Sequence, residues 1–141
     1  IQHLREIFFF TELAIEFRSS IWSHDDVYDL FNINDLTPVI VDLPAISGLP
    51  ETVLHYNKKI AYVRLHGRNE KTWYNQTLGD RYDYNYSSSE LELWCTHLVM
   101  MSEMAGTSYL FFNNCHAGQA VRNAVKLREL LAYEFTFNSD S

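Results

Sequence analysis

The 141 residues are enough for one domain of ordinary size. With 47% hydrophobic, 15% aromatic and 21% charged residues, the composition is globular and excludes a disordered, collagen-like or coiled-coil chain. A net charge of −7 and a pI near 5.2 argue against a general electrostatic grip on duplex nucleic acid, leaving room only for a local basic cluster.

Leu13 to Arg18 alternates Leu13, Ile15 and Phe17 against Ala14, Glu16 and Arg18, which predicts a strand with a polar tip. Ser23 is placed to cap a short helix carrying Val27, Leu30 and Phe31, ending near Asn34. Thr37 to Asp42 is a β-branched run ending in a carboxylate, with Pro38 near its start, where a strand tolerates it. Ile60 to His66 alternates again, Ala61, Val63 and Leu65 against Tyr62, Arg64 and His66, until Gly67 breaks it. Ser88 to Ala105 is a long amphipathic helix, with Leu91, Trp94, Cys95, Leu98, Met101 and Met104 on one stripe and Glu90 and Glu92 near its positive end. Thr107 to Asn113 is a fourth strand, and Gly118 to Tyr133 a further helix with Val121, Ala124, Leu127 and Leu131 inward. Glu134 to Ser141 is read as a loose tail.

Strand followed by helix, repeated, predicts a parallel sheet, because parallel neighbours need crossover connections. Polar residues gather at the C-terminal strand tips (Glu16/Arg18, Asp42, His66/Arg68, Asn113/Asn114), where open α/β sheets and (β/α)₈ barrels hold ligands. The fold expected is α/β, an incomplete TIM-like (β/α) barrel of about four parallel strands with crossover helices. A complete barrel takes about 250 residues.

Several words of the sequence resemble the YecE-like family, the TIM-barrel-like proteins also called domain of unknown function seventy-two. They are Glu16-Phe17-Arg18 with Trp22, Arg64-Leu65-His66-Gly67-Arg68, Trp73, Arg81-Tyr82-Asp83-Tyr84 with Tyr86, Glu90-Leu91 with Trp94, and Phe111-Phe112-Asn113-Asn114 followed by Gly118-Gln119-Ala120-Val121-Arg122-Asn123-Ala124. The resemblance implies a distorted barrel, of which this single domain, residues 1–141, is the C-terminal half, and it implies no reaction and no cofactor. On that reading either a homodimer or the missing N-terminal half completes the barrel, and Tyr62, Ala14, Ile40 and Phe111 lie on an accessible inner face.

Arg64 and His66 share a parity with Tyr62 opposite a wholly apolar parity, so they point away from the helices, and a buried arginine needs a partner. Glu16 and Asp42 are the inward carboxylates available to it, and Glu16, Asp42 and His66 are the candidates for proton handling. A structural ion-pair network fits the same residues. The segment from Gly67 to Ser87 holds Arg68, Trp73, Tyr74, Arg81, Tyr82, Tyr84 and Tyr86 without a regular period. Arginines among aromatics suit stacking beside an anionic group, while the alternative is a lid that packs its own tyrosines. Arg68, Trp73, Arg81 and Tyr82 are expected at the same end of the sheet as Asp42 and Asn114. Asn113, Asn114, Gly118 and Gln119 form an anion site at a helix N-terminus, or simply a cap and a tight turn. Glu16, Asp42, His66 and His116 have no known metal-ligand spacing, and no metal is assigned.

No nucleotide or hydrolase motif occurs, so the cofactor is unassigned and the chain is not committed to being an enzyme. The ligand expected at the strand tips is an anionic small molecule, such as a sugar phosphate, or a nucleic-acid fragment, with a hydrolase or isomerase reaction as the enzymatic reading. A non-catalytic nucleic-acid or protein binding module, or an inactive fragment, is the alternative. Two cysteines, Cys95 and Cys115, make no disulfide framework, and apolar runs are far below the about 20 residues that span a bilayer. A cytoplasmic location with no membrane contact is the simplest expectation, and the sequons at Asn75 and Asn85 read as chance.

Overall fold

The computed structural model describes residues 2–74 and 80–137. In chain order the elements are α1 (Gln2–Ile7), β1 (Ala14–Ile15), α2 (Asp25–Ile33), β2 (Thr37–Asp42), β3 (Ile60–Leu65), α3 (Ser88–Met104), β4 (Thr107–Phe112) and α4 (Gln119–Phe137). Short 3₁₀ turns lie at Ser20–Trp22, Asp80–Tyr82 and His116–Gly118. The four strands form one sheet in the order β1-β2-β3-β4, every neighbour parallel. This is the expected run of successive βα units, except that the β2–β3 connection, residues 43–59, carries no helix.

Strand parity decides which side each residue serves. Ile40 pairs with Val63, Val63 with Leu110, and Leu65 with Phe112. This row, with Ala61, packs under Leu91, Trp94, Leu98 and Met101 of α3 and Leu127 of α4. Ala61, Val63 and Leu65 are completely buried. The opposite row is Val39, Tyr62 and Tyr109, then Val41, Arg64 and Phe111. No helix covers it among the described residues, and Tyr109 and Phe111 are 46% and 45% exposed although they sit in the sheet. Ile40 therefore belongs to the helix-side core, at 2% exposure, and not to the accessible face where it was expected.

Several boundaries differ from the sequence reading. β1 pairs with β2 only at Ala14 and Ile15, because Glu16 and Arg18 leave the ladder to form ion pairs. Ser23 ends the Ser20–Trp22 turn, and α2 starts at Asp25 behind His24, with Asp25 and Asp26 complementing the positive end of the dipole. Pairing of β2 with β3 begins at Val39↔Tyr62, one residue after Pro38, which has no N–H to give a ladder. α3 opens with a capping box in which Ser87 and Glu90 satisfy each other's backbone N–H, and Met104 at its far end is 62% exposed, off the buried stripe. In α4 the inward residues are Asn123 and Leu127, with Leu130 and Leu131 partly buried, while Val121 and Ala124 face solvent. The segment Glu134–Phe137 is helical rather than loose, and residues 138–141 lie outside the described part. The sequon at Asn75 is also outside it.

Candidate functional site

Three of the four strands, β1, β3 and β4, deliver polar residues to the open face at or just past their C-terminal ends. Glu16 follows β1, Arg64 is the fifth residue of β3, His66 follows β3 and Asn113 follows β4. Parallel register brings them together. Arg64 Nη1 donates to Glu16 Oε2 at 2.5 Å, and its Nε donates to Asn113 Oδ1 at 3.0 Å. Arg18 Nε donates to the other Glu16 oxygen at 2.7 Å. His66 Nε2 lies 3.3 Å from the same Oε1 in ion-pair contact, without the alignment of a hydrogen bond, and the ring is 1% exposed, with neither nitrogen hydrogen-bonded among the described residues. Burial of Glu16 pushes its carboxyl up, but contact with His66 and Arg64 and the charge of Arg18 outweigh this and hold it at about 2.

Asp42 does not join this cluster. It pairs in register with Leu65, on the parity of Ile40, so its side chain lies on the helix side of the sheet. Fully buried, it accepts two hydrogen bonds from Arg68 Nε, at 2.9 and 3.1 Å. Arg68 Nη1 continues to Glu90 Oε1 at 3.1 Å, and the Tyr84 hydroxyl donates to that oxygen at 2.5 Å. Burial and the bond to Glu90 raise the Tyr84 phenol to about 12. Burial, then the Asp42 charge, raise the Tyr86 phenol well above its ordinary range, and its oxygen accepts the Gly67 N–H at 2.9 Å. The network has two carboxylates for one guanidinium and ties the segment after β3 to β2 and α3.

That segment returns to the strand tips, as expected of a loop leaving the C-terminal end of a strand. The Tyr82 ring lies 6.3 Å from His66 and 6.3 Å from Trp73, and the Arg81 guanidinium sits 5.7 Å from the Trp73 ring. Trp73 is only 3% exposed and clusters with Val41 and Leu43, so it is no open stacking platform. Asn114 is also fully buried: its amide donates to Tyr84 O and to Asn123 Oδ1, both at 2.7 Å. Gln119 receives the Tyr84 N–H and donates to Asp83 Oδ1 at 2.8 Å, and His116 Nδ1 is 2.9 Å from the same oxygen. The turn through Gly118 into α4 therefore faces a carboxylate of the chain itself, and Asn114 and Gln119 hold the loop.

The family described as "Protein of unknown function DUF72" matches residues 1–140. The chain belongs to the DUF72 family. UPF0759 protein YunF of Bacillus subtilis (strain 168) is 28% identical over 134 residues, taking in 87% of this chain and 48% of YunF. A DUF72 family protein from Thermotoga maritima, solved by crystallography, is 38% identical with a TM-score of 0.87, over 92% of this chain and 49% of its own. One from Enterococcus faecalis is 26% identical with a TM-score of 0.85, over 93% and 51%. The chain thus spans about half the length of these relatives.

In this DUF72 chain, Glu16, Arg18, Arg64, His66, Asn113 and Tyr82 converge, whereas Asp42 and Arg68 form a separate network on the other side of the sheet. Among the described residues no three His, Cys, Asp or Glu side chains gather as metal ligands: Glu16 and Asp42 are on opposite faces and His116 is paired with Asp83. A cleft of about 830 Å³ lies along the loop after β2, but Asp42 and Arg68, which line it, already bond each other. A hollow of about 560 Å³ on the open face is lined by Glu16, Arg64, Tyr62 and Tyr109 and carries the better chemistry. Sequence reasoning missed the part Glu90 and Asn123 play in holding the loop. The signal for Glu90 was Ser87-x-x-Glu90 before an apolar run, whereas Asn123 gave none, being polar on an inward face.

Among the described residues no helix is long and apolar enough to cross a membrane.

Proposed function

We propose that this part of the DUF72 fold binds a small anionic molecule, of the phosphate or sugar-phosphate class, at Arg64 and Arg18, with the His66–Glu16 pair beside it to take up or release a proton. One observation carries the reading: on the open face two guanidiniums share a single carboxylate, so the cluster has one positive charge more than its own residues neutralise. Arg18 and Arg64 keep 47% and 30% of their side chains accessible, and Arg64 lines the hollow, so a ligand reaches it from there. Planar guanidiniums match phosphate oxygens in pairs of hydrogen bonds. His66 is buried against Glu16, its Nε2 3.3 Å from Oε1, which sets an imidazole beside the two arginines. The net charge of −7 and the buried Trp73 favour a small ligand over a nucleic-acid strand.

Titration with inorganic phosphate, followed by calorimetry in two buffers of different ionisation enthalpy, tests it. The expected result is saturable binding with proton uptake, weakened at least about tenfold in Arg64→Gln, with the uptake lost in His66→Gln. Binding that Arg64→Gln and Arg18→Gln leave unchanged would place the anion elsewhere and overturn the proposal.

A further inference from the structure

The cleft beside the loop after β2, at about 830 Å³, is larger than the hollow on the open face, and the anion site leaves it unused. The two share no lining residue, and no residue of β3 or β4 lines the cleft, so it does not depend on what meets the open face. Its origin is the β2–β3 connection. Residues 43–59 run without the helix that usually joins parallel neighbours. Irregular connections of this length are uncommon in compact domains and are usually functional. This one is firmly held: the Ser20 N–H donates to Gly48 O at 3.0 Å, Thr52 Oγ1 donates to Val41 O at 3.0 Å, and the Leu49 N–H closes a turn on Ile46 O at 3.1 Å. Walls set in advance spare a ligand the cost of ordering them.

The lining decides the charge of the ligand. Arg68 is the cation that lines the cleft, and it is already bonded to Asp42 and Glu90. Glu51 and Glu70 line the same cleft, stand exposed, and have no ion-pair partner among the described residues. An anion therefore finds no unpaired guanidinium there. A bare metal ion finds too few ligands, since among the described residues no three His, Cys, Asp or Glu side chains gather. Leu43, Ile46 and Leu49 supply apolar wall, and Glu51 also lines a smaller hollow with Trp22 and Tyr28, which extends that wall beside the carboxylate. We propose that the cleft is a second binding site, taking a small organic cation, an amine with an apolar ring or chain, whose ammonium is held by Glu51 and Glu70. The carboxylates match its charge, and the loop after β2 covers its carbon body.

Benzylamine tests the site, with benzyl alcohol as its uncharged counterpart and calcium chloride as the bare cation. Each is titrated near neutral pH into the isotope-labelled chain, and the backbone amide resonances are followed by NMR. Benzylamine should shift amides between residues 43 and 53 saturably, with a dissociation constant of about 1–10 mM, ordinary for so small a molecule. Benzyl alcohol should bind at least about tenfold more weakly, and calcium should leave those amides in place. The double variant Glu51→Gln, Glu70→Gln should weaken benzylamine at least about tenfold, whereas Glu92→Gln, which removes an exposed carboxylate on α3, should not. All three substitutions are at exposed positions, and the same spectra report that the fold is kept. Shifts that do not saturate, equal affinity for benzyl alcohol, calcium moving the same amides, or equal weakening by Glu92→Gln would each overturn the proposal.

Discussion

Glu16 sets the electrostatics of the open face, and its chemistry makes a pH prediction. The carboxyl is held at about 2 against an ordinary value of 4.5, so in the unfolded chain it takes up its proton first as the pH falls. Its contribution to stability is therefore complete above about pH 4.5 and disappears as pH falls through about 2. Glu16→Gln should cost about 2 kcal/mol near neutral pH, less than a fully buried pair because Arg64 remains partly accessible. Urea unfolding of both proteins should show the gap narrowing steadily below pH 4.5, and a constant gap down to pH 2 would show that Glu16 does not carry it. Gly67 makes a second residue-scale prediction. Its φ is +92°, and a Cβ there would stand 2.6 Å from Tyr84 Cβ. Gly67→Ala should lower stability by about 2 kcal/mol through backbone strain and displacement of the Tyr84 segment. A thermal midpoint equal to wild type would contradict it.

The elements are held by caps and buried amides as much as by apolar stripes. α3 begins where Ser87 and Glu90 close a capping box, yet Glu90 also receives Arg68 and Tyr84, so helix start and loop anchor are one carboxylate. Ser87→Ala should cost about 1 kcal/mol, the usual worth of a cap. Glu90→Gln should cost more, about 2 kcal/mol, because it weakens the charge-assisted bonds from Arg68 as well. Equal losses for the two variants in denaturant titrations would show that the loop anchor contributes nothing. Much of this scale was legible in the sequence: the alternation of Ile60–Leu65 and the stripe Leu91, Trp94, Cys95, Leu98 and Met101 each mark a true element with its true face. β1 was not. Its alternation continues to Arg18 in the sequence, but charges at Glu16 and Arg18 find better partners outside the ladder than within it.

At the scale of the molecule the two sides of the sheet should answer mutation differently. Leu65→Ala, in the helix-side core at 0% exposure, should cost about 3 kcal/mol. Phe111→Ala, at a site 45% exposed on the open face, leaves no cavity in that core and should cost about 1 kcal/mol or less. Urea unfolding of the two variants distinguishes these cases, and equal losses would mean that both sides of the sheet are packed alike.

By itself the sequence determined the α/β class, the parallel order, the strand tips as the polar end, and the side on which Tyr62, Arg64 and His66 lie. Those properties follow from local period and from the rule that side chains alternate across a strand. The tertiary structure alone decided that Glu16 and not Asp42 meets Arg64. Alternation relates residues within one strand, whereas the register between strands sets Asp42 beside Leu65 on the helix side. It also decided that Asn114, Gln119 and Asn123 lock the Tyr84–Tyr86 segment in place. A buried amide is favourable only when its partners are in position, and those partners lie up to 38 residues away in the chain.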